Sequence, residues 1–265
     1  MKDSFKVGDG TRIAFLDEGD RDAPVVVLSH SLGGTLAQWD RAAPGLVEAG
    51  FRVVRYDSRG HGASDAPTGE YSVRALGEDA LALFDHLTIK RAAFGGLSMG
   101  GMTAMWLGVN APDKLWALIL SNTTAYIPNK AMWDENIANS LEHGMSMIAR
   151  PTLERWFGAT FKASSPDVVD SQIAVMEAMK PAGYAGSCAV LRDIDLRDQL
   201  KTISTPALVI AGAEDMPHSI EGAKAMADVL PNGQVTVLPH AAHLSPIENP
   251  PAFNGAITDF LNHHR

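Results

Sequence analysis

Apolar positions along the chain recur with two periods. Val25–Leu28, Arg52–Tyr56, Ala117–Leu120, Ala207–Ile210 and Val235–Leu238 are short, β-branched runs bounded by turn formers, the pattern of buried strands. Arg91–Phe94 is a weaker run of the same kind. Between them the spacing changes. Val73, Leu76, Ala80, Leu83, Phe84 and Leu87 repeat at helical intervals, as do Phe253, Ile257, Phe260 and Leu261. Strands alternating with helices predict an α/β architecture, a mostly parallel sheet covered on both faces. The segment Phe5–Asp17 is interrupted by Gly8-Asp9-Gly10, which supplies turn chemistry for an antiparallel hairpin at the start.

From Tyr126 to Ser204 the rhythm stops. Strong strand runs are missing, and Trp133, Met145, Met147, Trp156, Phe157, Met176 and Met179 appear instead. The expected organisation is a core built from residues 1–125 and 205–265, with a helical insertion, 126–204, between two sheet strands. The insertion's aromatic and Met content either forms a small core of its own or makes it a lid over an apolar pocket, since insertions at the carboxyl edge of such sheets overlie the ligand crevice.

Bulk properties narrow the function. The chain has 265 residues, enough for one buried core and an insertion. No apolar run approaches the ~20 residues that span a bilayer, and Met1 to Gly10 is too charged for a secretory signal; a cytoplasmic protein is expected. Cys188 is the only cysteine, which excludes an internal disulfide and fits a reducing compartment. The net charge of −9 comes without any cluster of Lys or Arg, so neither nucleic acid nor a membrane is an expected partner. It also gives no long-range attraction for an anionic substrate.

The chemistry concentrates at Gly95-Gly96-Leu97-Ser98-Met99-Gly100-Gly101, a G-x-S-x-G preceded by the weak strand and followed by a helical pattern through Met102, Met105, Trp106 and Val109. A strand–turn–helix context is what this motif requires to raise its serine out of the sheet. A serine hydroxyl needs a base, and the base needs an orienting acid. These follow in the order Ser, acid, His. Ala207–Ile210 leads to Glu214 and Asp215, of which Asp215 fits the acid and Glu214 is the rival. After the Ala117–Leu120 strand the corresponding residue is Asn122, which carries no charge. Val235–Leu238 leads to His240 and His243, of which His243 fits the base. The backbone amides of Leu32, in the loop after the first central strand, and Met99 are the expected oxyanion donors. His30 and the stretch Asp57–Gly62 are expected to brace loops. No residue set has metal-ligand spacing, and no cofactor is expected.

Ser29-His30-Ser31-Leu32-Gly33, Arg55-Tyr56-Asp57-Ser58-Arg59-Gly60-His61-Gly62 and Gly96-Leu97-Ser98-Met99-Gly100-Gly101 resemble the bacterial 3-oxoadipate enol-lactonases of the α/β-hydrolase superfamily. So do Glu154-Arg155-Trp156-Phe157, Gly183–Cys188 and Arg192–Arg197 in the insertion. The resemblance implies an eight-stranded α/β-hydrolase fold with a helical lid, and opening of a small lactone through an acyl-enzyme. It makes Trp133 and Trp156 pocket candidates. A substrate of that kind carries a carboxylate, for which Arg192 is the candidate partner; the alternative is a surface arginine paired with Asp193 or Asp195. Two departures, Ala242 before His243 and Met216-Pro217-His218 after Asp215, bear on the pocket rim. Carboxylesterases, acyl-homoserine lactonases and perhydrolases share the same core residues. A non-catalytic small-ligand receptor on this scaffold is the alternative of a different class. Haloalkane dehalogenases need a carboxylate where Ser98 stands.

Overall fold

A computed structural model describes residues 3–216 and 219–265. Eight strands form one sheet: β1 (Asp3–Lys6), β2 (Arg12–Glu18), β3 (Val25–Ser29), β4 (Arg52–Tyr56), β5 (Ala92–Leu97), β6 (Leu115–Ser121), β7 (Ala207–Gly212) and β8 (Gly233–Leu238), in the order β1-β2-β4-β3-β5-β6-β7-β8. β1 and β2 form the antiparallel entry, and β2 also runs antiparallel to β4. All later neighbours are parallel. The chain therefore begins at one edge, crosses to the middle, and then builds outward to β8.

The parallel strands β4, β5 and β7 are buried along their whole length, as expected when helices cover both faces. Those helices are α1 (Ala43–Glu48), α2 (Val73–His86) and α3 (Met99–Asn110), and, towards the C-terminus, Ser219–Val229, Ser245–Glu248 and Pro250–His264. The spacing that predicted α2 is the one it buries, with Leu76, Ala80, Leu83 and Phe84 inside. Its start is capped by Ser72, whose side chain accepts the Ala75 amide.

Between β6 and β7 lie five helices: α4 (Lys130–His143), α5 (Ser146–Trp156), α6 (Ala159–Ser164), α7 (Pro166–Glu177) and α8 (Pro181–Asp193). The last three core helices then follow as α9, α10 and α11. The two ends of the insertion are joined at its neck. Tyr126 bridges Asp195, and the Leu196 amide donates to the Ala125 carbonyl at 2.9 Å. Cys188 is buried in α8 and free, with its thiol pushed up to about 12 by burial, which removes it as a nucleophile. No helix among the described residues is long and apolar enough to cross a membrane.

Candidate active site

Ser98 follows β5 and caps α3, with φ +54° and ψ −109°, a conformation few non-glycine residues adopt. The glycines around it explain how the chain tolerates the turn. A Cβ on Gly96 would lie 2.0 Å from the Gly100 backbone, and one on Gly100 would lie 2.2 Å from the Ser29 carbonyl of β3. Gly96 thus lets the turn close on itself, whereas Gly100 lets α3 approach the neighbouring strand. The Ser98 backbone is held by its own amide donating to Ser121 at 2.9 Å and by Thr123 Oγ1 donating to its carbonyl at 2.7 Å.

Asp215 emerges from the turn after β7 and His243 from the loop after β8. His243 Nδ1 lies 3.3 Å from both Asp215 oxygens. The two side chains are only 3% and 7% exposed. Burial alone would raise the Asp215 carboxyl. The hydrogen bond and charge of His243, with donors from Asn122 and the Met216 amide, outweigh it and hold the group below the usual carboxylate range. Ser98, Asp215 and His243 line one cavity of about 660 Å³. The resting arrangement has no hydrogen bond between Ser98 Oγ and the ring among the described residues. Such contacts commonly tighten when substrate binds. The rivals sit elsewhere: Glu214 and His240 are exposed and neither lines the cavity.

Leu32 and Met99 are buried and do not wall the cavity with their side chains. Among the described residues, their amides donate to no protein acceptor. The Leu32 loop is braced from below. His61 Nε2 accepts the Gly33 amide at 3.1 Å, His30 Nε2 accepts the Ser58 amide at 2.9 Å, and Asp57 Oδ1 accepts the Leu36 amide at 2.7 Å. From above, Met176 of α7 packs against Gly33.

Trp133 and Trp156 both line the Ser98 cavity, and the Trp156 ring lies 5.1 Å from the His243 ring. Arg192 does not. Its guanidinium is taken up by Glu70, Asp134 and Asp193 at 2.7–3.1 Å, and it lies outside the cavity. Three carboxylates already neutralise it, which removes it as a substrate anchor. Pro217 and His218 lie outside the described residues.

Three residues that the motif reading passed over belong to this region. Asn122, set aside for lacking charge, donates through Nδ2 to Asp215 Oδ2 at 2.9 Å and to the Ala242 carbonyl at 3.0 Å, and accepts from Ser245 Oγ at 2.7 Å. Glu248 accepts the amides of Ala242 and Leu244, on either side of His243, and that of Gly158 in the insertion. Burial raises its carboxyl despite those three donors. Arg155, beside Trp156, lines the cavity. The sequence signal for Asn122 is its place directly after β6, and Arg155 falls within the Glu154–Phe157 stretch of the resemblance; nothing local marks Glu248.

A serine raised on a strained strand-to-helix turn, facing an acid after β7 and an imidazole after β8, defines a class. Residues 24–165 match the family model described as α/β hydrolase fold, and the chain belongs to that family. It is an enzyme, a hydrolase of carboxylic ester bonds. Among its relatives is 3-oxoadipate enol-lactonase 2 of Acinetobacter baylyi, 37% identical over 90% of this chain and 89% of that protein. A hydrolase from Pseudomonas aeruginosa superposes with TM-score 0.94 at 41% identity, covering 98% of each chain. The enol-lactonase from Burkholderia xenovorans superposes equally well, TM-score 0.94, at 36% identity over 98% of this chain and all of that one.

Proposed function

We propose that the chain opens 3-oxoadipate enol-lactone to 3-oxoadipate, in the cytoplasmic breakdown of aromatic compounds, with Ser98 as nucleophile, His243 as base and Asp215 as the acid that orients it. The observation carrying this reading is the positive-φ Ser98 sharing a cavity with a buried, paired His243–Asp215. Support for the lactone comes from the named activity of the relatives.

Ser98 Oγ attacks the lactone carbonyl carbon while His243 takes the hydroxyl proton, and Asp215 stabilises the imidazolium. The carbonyl oxygen, now negative, lies between the Leu32 and Met99 amides, which have no acceptor of their own among the described residues; Met99 opens α3, whose positive dipole end favours that charge. The ring C–O bond breaks, His243 returns its proton to the leaving enol oxygen, and the enol relaxes to the ketone. A water gives its proton to His243 and attacks the acyl carbon; the bond from that carbon to Ser98 Oγ then breaks, His243 passes the proton to Oγ, and the carboxylate leaves. Trp133 and Trp156, in the insertion acting as a lid, wall the pocket.

Turnover of p-nitrophenyl acetate should vanish in Ser98→Ala. On one preparation, kcat/KM should be far higher for the enol-lactone than for an acyl-homoserine lactone or a neutral short-chain ester. A preference for either of the latter overturns the substrate assignment but leaves the nucleophile standing. Ligand binding with no Ser98-dependent turnover of any ester or lactone would favour a receptor.

A further inference from the structure

Arg155 lies in the last turn of α5, and no other Lys or Arg is among the described residues lining the Ser98 cavity. It also lines a second cavity of about 380 Å³ within the insertion, and Met132, Trp133 and Trp156 are common to both walls. It therefore stands at the junction of the two spaces. Trp156, its neighbour in sequence, packs against the His243 ring at an interplanar angle of 40°.

Arginines near carboxylates are taken up in this molecule. Arg52 pairs with Asp17, Arg59 with Asp79, Arg197 with Asp195, and Arg192 with three partners. Arg41 and Arg91 instead direct their N–H groups to the carbonyls of Ile247 and Leu115. Arg155 has neither kind of partner among the described residues. Glu154, next to it, faces Arg150. The other ionic groups of the cavity, Asp215 and His243, are turned to each other. Arg155 is exposed, at the wall of the reaction cavity; with no carboxylate or carbonyl partner among the described residues, only solvent has to leave its guanidinium for an anion to bind, and its planar fork suits a carboxylate. The chain's net charge of −9 does not oppose this at contact range, because distant charges are screened beyond about 8–10 Å.

We propose that Arg155 binds a free carboxylate on the substrate, set apart from the scissile ester, so that the site selects acidic lactones and esters over neutral ones. The proposal rests on Ser98 being the nucleophile but not on which lactone is the natural substrate. Arg155 is a specificity residue that touches substrate without taking part in bond cleavage.

Two acetate esters with matched phenol leaving groups test it, 4-(carboxymethyl)phenyl acetate and 4-methylphenyl acetate. The readout is the ratio of kcat/KM for the acidic ester to that for the neutral one. Arg155→Ala should lower this ratio roughly 10- to 100-fold, mostly through KM for the acidic ester. Arg155→Lys should restore part of it, and Arg155→Glu should lower it further. Because the neutral ester is measured on the same preparation, loss of folded enzyme cancels in the ratio. A ratio unchanged in both Arg155→Ala and Arg155→Glu overturns the proposal. Hydrolysis of both esters that persists in Ser98→Ala would instead remove the reading on which it rests.

Discussion

Asn122 holds three partners at once: Asp215 on the turn after β7, Ala242 on the loop after β8, and Ser245 at the start of α10. A hydrogen bond to a charged group contributes roughly 1.5–3 kcal/mol. Asn122→Ala should therefore lower kcat about 10- to 100-fold in an esterase assay. An unchanged kcat would show that Asp215 needs no such support. Asp215→Asn should cost more, on the order of 10⁴-fold, because the amide favours the wrong imidazole tautomer. A different residue sets the response to acid. Burial, and the neighbouring His30, hold His61 well below its ordinary 6.5, and its Nε2 must stay unprotonated to accept the Gly33 amide. Below about pH 6.5 the unfolded chain takes up a proton that the folded chain refuses, so stability falls as pH drops from there. Melting temperature should decline between about pH 6.5 and 5, and the decline should be shallower in His61→Asn; equal slopes would rule His61 out as the cause. At this scale the sequence revealed the residues that bear a motif. Ser98, Asp215 and His243 could be found from their places after strands. Asn122 and Arg155 can be located but their roles cannot be read, because what they do depends on groups brought near only by folding, 93 and 120 positions away for Asn122. Arg192 follows its alternative reading, a surface arginine paired with Asp193, but its further partner Glu70, 122 positions away, is brought near only by folding.

The strand–turn–helix unit β5–Ser98–α3 is the element on which the site depends. With 2.0 Å between a Gly96 Cβ and the Gly100 backbone, Gly96→Ala must open the turn and move Ser98. It should abolish activity and destabilise the fold by about 1–3 kcal/mol, measured by kcat/KM and by urea unfolding. Gly255 offers the contrast. It lies in α11 with nothing within 4 Å of an added Cβ, so Gly255→Ala should stabilise by roughly 0.5–1 kcal/mol. The central strands could be recognised because a sheet buried on both faces leaves a continuous apolar imprint; β8, read as a buried strand over Val235–Leu238, is instead an edge strand buried only at Leu238. The segment read as Arg52–Tyr56 is β4 to the residue. Ends fared less well: β5 runs on to Leu97 through Gly95 and Gly96, where glycines carry no strand signal and close approach of neighbours decides.

Across the whole molecule, the insertion and the His243 loop form one assembly. The His243 amide donates to the Trp156 carbonyl at 3.0 Å, and Glu248 gathers Gly158 of the insertion together with Ala242 and Leu244. Glu248→Ala would leave three buried amides without an acceptor, at about 1–3 kcal/mol each. Its melting temperature should fall by roughly 6 °C or more and its kcat should fall with it. A drop in stability alone would separate the clamp from the positioning of His243.

The neck at Tyr126 and Asp195 has a consequence for how such a chain can change. Everything between the two bridged residues leaves the sheet at β6 and rejoins it at the adjacent β7, so its length can vary at a small, slowly growing entropic penalty. Helices there can be lengthened, swapped or re-lined in descent or in the laboratory while the strand register beneath stays as it is. New pockets can then be tried over an unchanged set of reacting groups, provided each replacement still offers its carbonyl and its amide to the loop that follows β8.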